Sequence, residues 1–149
     1  MVALVLFALA VTSPRWLPLR DTGEWVPVNE RFAACGAGDR NGSRACVVDG
    51  DTVRIGSRRI RFTGFDAPEL AGACAAETAK AREASGALRA WLARGPFVWD
   101  GGGDPPRDEH GRELRTARRG QEWLADVMVE RELAEGSGWD RVRVDWCEV

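Results

Sequence analysis

The chain has no tyrosine, only one histidine, no internal repeat and no long low-complexity tract. It has no excess of positive charge either: the formal net charge is −2, which argues against a protein held on nucleic acid by a broad basic surface. A local pair of arginines remains compatible with that charge. With 149 residues, of which 44% are hydrophobic and 30% charged, the chain is expected to form one globular domain with a buried core.

The apolar run at the N-terminus is too short for a membrane-spanning helix, which needs roughly 20 residues. It covers residues 1–11 and contains Ala8 and Ala10 in a small-residue pattern typical of signal-peptidase sites, although no Lys or Arg precedes it. Residues 1–20 are therefore predicted to be a signal peptide or leader, and the alternative is a buried terminal strand or helix. We expect an exported protein, secreted or periplasmic, with no stable membrane span, in which residues 21–43 are extended and residues 44–149 form the domain.

No Cys-x-x-Cys spacing occurs among the four cysteines, which disfavours a zinc site. Four cysteines allow three disulfide connectivities, and the sequence alone does not choose among them. We favour Cys35–Cys46, because the Asn41-Gly42 turn signal brings the ends of that loop together, with Cys74–Cys147 as the second bridge. The alternative is four reduced thiols in a cytosolic protein.

Residues 46–69 bring charged groups together on what we predict to be a hairpin. Apolar residues recur with a period of two in residues 47–55 and 60–65, which predicts two strands. By the same spacing, Asp49 and Asp51 share one strand face, and Arg61 points away from the core. Asp66 and Glu69 follow where Pro68 prevents the strand from continuing. Four carboxylates and one arginine in this arrangement suit a hard cation bound through oxygen.

Two helices and two further strands are predicted after this hairpin. The main helix covers residues 73–94 and a shorter one covers residues 121–130, with strands at residues 97–99 and 114–117 and a flexible loop at residues 101–107. The main helix carries an apolar stripe with the i, i+3, i+4, i+7 spacing of a core-facing surface. The stripe consists of Ala81, Ala84, Ala87, Leu88, Trp91 and Leu92.

Three motifs, in this order, resemble the staphylococcal nuclease (thermonuclease-like) family. They are Asp49-Gly50-Asp51-Thr52, then Arg61 followed by Asp66-Ala67-Pro68-Glu69, then Asp108-Glu109-His110-Gly111-Arg112-Glu113-Leu114. The resemblance covers roughly residues 44–136. It implies a mainly β fold with helices (α+β), namely a five-stranded Greek-key OB-fold barrel with two or three packed helices, a type of barrel that commonly binds oligonucleotides.

The resemblance also implies a calcium-dependent nuclease that hydrolyses phosphodiester bonds of DNA, RNA or both. Asp51 and Asp66 match the family's metal-ligating carboxylates, and Ala67 matches the residue whose main-chain carbonyl binds the Ca²⁺. Asp49 matches an acidic position behind these ligands. The catalytic positions are matched by Glu69 as the general base, or as the group that orients the attacking water, and by Arg61 and Arg112 as the residues that hold the scissile phosphate.

The chain departs from the family at several positions. Without tyrosine, the contacts that relatives make to base and phosphate are absent or taken over by tryptophan, and His110 stands where the family has a tyrosine. Glu132 replaces a glycine in a left-handed turn, which predicts a different local backbone path there. The loop between Glu69 and Cys74 is short, which predicts a more open cleft. Two alternatives to a monomeric nuclease remain: a noncatalytic nuclease-like module that binds nucleic acid or protein, and a calcium-binding structural domain.

Overall fold

The computed structural model describes residues 24–36, 45–138 and 143–148, and the predicted leader lies outside these ranges. The described chain is α+β and consists mostly of short strands. The strands are β1 (Val26–Val28), β2 (Ala33–Ala34), β3 (Ala45–Val47), β4 (Thr52–Ile55), β5 (Arg58–Phe62), β6 (Phe65–Asp66), β7 (Phe97–Trp99), β8 (Glu113–Arg115), β9 (Ala117–Arg119), β10 (Glu122–Trp123) and β11 (Glu135–Gly136). The helices are α1 (Ala75–Ala93) and α2 (Leu124–Glu130).

These strands form three open sheets within the described residues. One has five strands in the order β2-β3-β4-β5-β8, the second has four in the order β1-β7-β9-β10, and β11 pairs with β6. Strands β3, β4 and β5 form an antiparallel meander, while β8 runs parallel to β5. The predicted strand at residues 114–117 is divided at Thr116 between β8 and β9, so one nearly continuous segment connects the two larger sheets.

The prediction of a continuous strand over residues 47–55 is wrong. Strand β3 ends at Val47 and β4 begins at Thr52, and residues 48–51 form the turn between them. The amides of Val48 and Asp49 both donate to the Thr52 carbonyl, at 2.9 and 3.3 Å. The alternation expected of a strand continues across Asp49-Gly50-Asp51 only by coincidence. These residue types favour a turn, and a turn is what they form. Asp49 and Asp51 therefore do not share a strand face.

Helix α1 buries the apolar stripe that its spacing predicts. All six residues of the stripe are buried, and all but Ala81 belong to the hydrophobic core cluster that also contains Val53, Ile60 and Phe62. Burying a large apolar side chain contributes roughly 1.5–3 kcal/mol, so this stripe is the main attachment of α1 to the sheets. At the N-terminus of α1, Glu77 accepts hydrogen bonds from the amides of Ala73 and Glu69, in the manner of a capping box.

The turn after α2 is left-handed at Glu132, and a path different from the family's stays a prediction. Glu132 adopts the left-handed conformation with φ of 56°, the only such case among the described residues other than glycine. The amides of Glu132 and Leu133 donate to the carbonyls of Val129 and Met128, which ends α2 with satisfied carbonyl groups. A left-handed backbone costs a residue with a side chain about 1 kcal/mol. Burial of Leu133 and Ala134 immediately after the turn offsets that cost at Glu132.

Both favoured disulfides are present. The Cα atoms of Cys35 and Cys46 are 5.0 Å apart, and those of Cys74 and Cys147 are 6.0 Å apart. The second bridge joins the C-terminal tail to the residue that caps α1. Neither helix in the described ranges combines the length and the apolar character that crossing a bilayer requires.

Gly50 provides a test of how tightly the turn between β3 and β4 is packed. A Cβ atom at Gly50 would lie 2.6 Å from the Ala67 Cβ and 2.9 Å from the Ala84 Cβ, so Gly50→Ala is expected to destabilise the fold by about 1–3 kcal/mol. Chemical denaturation of the purified variant measures this change.

Gly86→Ala is the matched control, because it makes the same substitution within α1 where no atom lies within 4 Å of the added Cβ. Its expected effect is neutral or stabilising by up to about 1 kcal/mol. Equal stability of the two variants would contradict the packing described for Gly50.

Candidate active site

Arg61 connects the predicted acidic residues. From the middle of β5, its Nη2 atom lies 3.2 Å from Oδ2 of Asp51 and forms a closer ion pair with Asp66. A single guanidinium nitrogen thus contacts both carboxylates, so the two predicted metal ligands converge on one point. The expectation that acidic and basic groups meet at this hairpin is confirmed, although the Asp51 carboxylate comes from a turn.

Asp51 is the buried member of the pair, with a relative exposure of 5%. Its Oδ1 accepts a hydrogen bond from the Thr52 hydroxyl at 2.8 Å, and the Ala67 amide is 3.4 Å from Oδ2. Burial, and then repulsion by Asp49, raise the pKa of Asp51 to about 6, against the opposing attraction of Arg61. The position therefore carries more negative charge than Arg61 compensates.

Asp49 supports the turn that presents Asp51. Its Oδ1 accepts hydrogen bonds from the amides of Asp51 and Thr52, at 3.1 and 2.8 Å. An aspartate that binds the backbone two and three residues further along stabilises a turn. Asp49 thus acts on Asp51 through the backbone and through charge repulsion, which agrees with its predicted place behind the ligands.

The loop after β6 brings Glu69 to the same place. Arg61, Asp66, Ala67 and Glu69 line one cleft of about 270 Å³. Glu69 is exposed, and its backbone amide donates to Glu77 Oε1 at 3.4 Å, which holds the loop against the start of α1. The Ala67 amide faces Asp51, and binding of a metal by the Ala67 carbonyl stays a prediction.

Arg112 lies beside this cleft and is not among the residues that line it. Its Nε donates to Asp108 Oδ2 at 2.6 Å, and the Asp108 Oδ1 accepts from the amides of His110 and Arg112 at 2.9 Å each. Asp108 therefore anchors this turn. Arg112 immediately precedes β8, in which Leu114 pairs with Arg61 of β5.

A buried ionic cluster under β8 was not predicted from the sequence. Glu113 is 2% exposed and accepts two hydrogen bonds of 2.8 Å from Arg58 and one of 3.0 Å from Arg115. The hydrogen bond from Arg58, together with that from Arg115, outweighs burial and lowers the pKa of Glu113 to about 2. Arg107 approaches Glu113 to 3.5 Å and donates to the Gly111 carbonyl at 3.1 Å. This cluster holds both ends of the turn that carries Arg112.

The C-terminal tail forms a further wall of the cleft. Glu77, Glu135, Arg143, Val144 and Trp146 also line it, and Glu135 lies opposite Asp66 in the β6–β11 register. The expectation of an open cleft beside the short 69–74 loop did not include this wall. A sequence signal existed, because a Cys74–Cys147 bridge requires the tail to return to the start of the helix beside that loop.

The negative charge at this site suits a divalent cation, but few metal ligands are already arranged around one position. In the described ranges, no group of three or more Asp, Glu, His or Cys side chains is arranged to hold a metal ion. Asp51 and Asp66 nevertheless converge with excess negative charge, and two carboxylates completed by water and substrate phosphate are a known way of binding Mg²⁺ or Ca²⁺. The donors present therefore fit a cation that the substrate helps to bind.

Comparison with models of known protein families found no match for this chain, and comparison with curated proteins found none. The resemblance to the staphylococcal nuclease family accordingly depends on the three motifs and remains a prediction.

The excess charge at Asp51 predicts a stability gain when it is removed. Because the folded state raises the pKa of Asp51, the charged carboxylate opposes folding increasingly as the pH rises from about 4 to about 6. Asp51→Asn is therefore expected to stabilise the protein in chelator at pH 8 by about 1–3 kcal/mol, as measured by denaturant unfolding. The exposed Asp104→Asn is the control and should change stability little; a loss of stability in Asp51→Asn would refute the assigned charge imbalance.

At Glu113 we expect the stability of the fold to depend on pH in the opposite direction. Its pKa is lower in the folded state than the usual 4.5, so its stabilisation is complete above pH 4.5 and is lost as the pH falls towards 2. Glu113→Gln should cost about 2–4 kcal/mol at pH 7 and progressively less between pH 4.5 and 2. Unfolding measured across this pH range tests both statements, with Glu83→Gln on the exposed face of α1 as control.

Proposed function

We propose that the protein is a metal-dependent nuclease that hydrolyses phosphodiester bonds of nucleic acid, with Ca²⁺ as its cofactor. The observation that supports this most directly is the convergence of Asp51 and Asp66 on the Arg61 guanidinium, together with a cleft that Arg61, Asp66 and Glu69 line. A cation site, an arginine and a further carboxylate around one concave surface are the groups that cleavage of a phosphate diester requires.

Arg61 and Arg112 are proposed to hold the phosphate that is cleaved. A guanidinium group offers paired N–H donors that match two phosphate oxygens, and its attraction increases as charge develops on those oxygens in the transition state. In the structure each arginine is paired with aspartate, Arg61 with Asp51 and Asp66, and Arg112 with Asp108. The substrate phosphate therefore exchanges with these partners, which keep both guanidinium groups oriented before binding.

The bound Ca²⁺ would supply positive charge to the phosphate oxygens at the carboxylates of Asp51 and Asp66. With a cation held by these carboxylates, Arg61 would no longer be their main source of positive charge and would be available to the substrate. Glu69 then serves as the general base or water-orienting group. Its side chain is exposed in the cleft, and its backbone is held by Glu77, so the carboxylate is accessible while its position is limited.

We further propose that the protein is an exported monomer and that its sheets are the parts of an OB-type barrel. The two disulfides favour an oxidising compartment. The β3-β4-β5 meander, the parallel β5–β8 pairing and the β8–β9 segment shared by two sheets match the strand order of such a barrel. In the described residues β1 takes the free edge of β7, so the barrel we propose is open on that side.

A noncatalytic nucleic-acid-binding module is the second candidate. The hydrogen bonds that occupy Arg61 and Arg112 and the absence of three clustered metal ligands in the described ranges are the observations that favour it. It is separated from the first candidate by one assay, in which purified protein is incubated with single- and double-stranded DNA and RNA, in calcium or in chelator. Cleavage only in calcium is expected; binding without cleavage under every calcium condition would favour the module.

Arginine variants test the phosphate-binding roles proposed for Arg61 and Arg112. Arg112→Ala is expected to reduce the rate of cleavage by about 10²–10³, because it removes one donor to the transition state. For Arg61, Lys is the better replacement, since Ala would leave the buried Asp51 carboxylate without its cation. Arg61→Lys keeps the charge but loses the paired donors, and a large loss of rate is again expected.

Arg89→Ala serves as the control, because Arg89 is exposed on α1 and is not proposed to contact the phosphate. Its rate should equal that of the wild-type protein. If Arg112→Ala retained more than about a tenth of wild-type activity, the lost interaction would be worth less than about 1.4 kcal/mol and the role assigned to Arg112 would be wrong.

A further inference from the structure

The C-terminal tail is held against the cleft at two points on either side of a short segment. The Val144 amide donates to Glu135 Oε2 at 2.9 Å, and Glu135 lies opposite Asp66 in β11. Three residues after Val144, Cys147 is bonded to Cys74, the residue that caps α1. Arg143 is therefore adjacent to an anchored residue, and its position in the cleft depends on the tail being tied down.

Arg143 is one of two basic residues in a cleft that is mostly acidic. Four of the lining residues are acidic and two are basic; they are Asp66, Glu69, Glu77 and Glu135, and Arg61 and Arg143. The Arg61 guanidinium is committed to Asp51 and Asp66. In contrast, no hydrogen bond or ion pair within the described part of the chain engages the Arg143 side chain. A polyanion that approaches this acidic cleft thus meets one cation that has no carboxylate to give up.

We propose that Arg143 and the disulfide-tethered tail form a second phosphate-binding subsite, which takes a phosphodiester group of the substrate next to the one held by Arg61. The inference rests on the proposed function, and it assigns to the tail a role that the three sequence motifs do not contain. Trp146, from the same tail segment, lines the cleft and offers an aromatic surface to an adjacent base.

The disulfide gives this subsite a dependence on oxidation. Reduction of Cys74–Cys147 removes the covalent anchor and leaves the tail attached beside the cleft through the Val144–Glu135 hydrogen bond. A single hydrogen bond of this kind is a weak anchor, so the tail is expected to leave the cleft more often and the local concentration of the Arg143 guanidinium to fall. The reduced protein retains Arg61, Asp51 and Asp66, which belong to the strands and turns of the sheets.

The test compares binding of a short 5′-fluorescein-labelled single-stranded DNA in chelator, where no cleavage occurs, by fluorescence anisotropy at several salt concentrations. Arg143→Gln is expected to weaken binding about 5- to 10-fold at low salt. It should also reduce the slope of log Kd against log salt by about 0.7, the amount expected for one lost phosphate contact on a single strand. Arg89→Gln, an equal change of charge on the exposed face of α1, should do neither.

The tether is tested by the same substitution in a Cys74→Ser/Cys147→Ser background, where Arg143→Gln should change Kd less than twofold. In calcium, Arg143→Gln should raise KM five- to tenfold and leave kcat within twofold, since Arg143 does not hold the cleaved phosphate. Equal effects of Arg143→Gln and Arg89→Gln, or no binding by the wild-type protein at low salt, would overturn the subsite, whether or not the serine variant folds.

Failure of the proposed function gives a different result. If the wild-type protein binds the labelled DNA and Arg143→Gln weakens that binding, while calcium produces no cleavage, the subsite stands and the hydrolytic assignment is wrong. If calcium-dependent cleavage occurs and Arg143→Gln behaves like Arg89→Gln, the nuclease assignment stands and the tail has no part in binding.

Discussion

The ion pair of Arg61 with the buried Asp51 is the interaction on which the candidate site depends. A carboxylate removed from water is costly unless a cation or hydrogen bonds compensate it, and Asp51 is only partly compensated. Because Arg61 also binds Asp66, one guanidinium connects the β3–β4 turn, β5 and β6. The same excess of negative charge that weakens the metal-free fold is what a divalent cation needs. Stability and cation binding therefore oppose each other at this position, as is common at functional sites.

The backbone around this ion pair is arranged to limit its movement. Gly50 lies in close contact with Ala67 and Ala84, so the turn that carries Asp51 packs directly on the loop that carries Glu69 and on α1. On the other side, Asp108 and the buried Glu113 hold the turn that carries Arg112. The charged groups that we propose to bind phosphate are thus oriented in the absence of substrate, which would reduce the entropy lost on binding.

The C-terminal tail changes the character of the cleft. It adds Glu135, Arg143 and Trp146 to a surface that the three motifs alone would leave open. In the oxidising environment that two disulfides favour, the Cys74–Cys147 bridge is stable and the tail stays in place.

The sequence by itself determined the elements whose signals are local. The apolar stripe of α1 follows from its spacing, and the structure confirms it. The sequence left three disulfide connectivities open, and the structure has the favoured one. Alternation failed at Asp49-Gly50-Asp51, because a period of two cannot distinguish a strand from a turn whose residues happen to alternate. Only the tertiary structure decided that Arg58 and Arg115 neutralise Glu113, that Glu132 accepts a left-handed backbone, and that the tail encloses the cleft. Those outcomes depend on burial and on contacts between residues far apart in the chain, which no local pattern encodes.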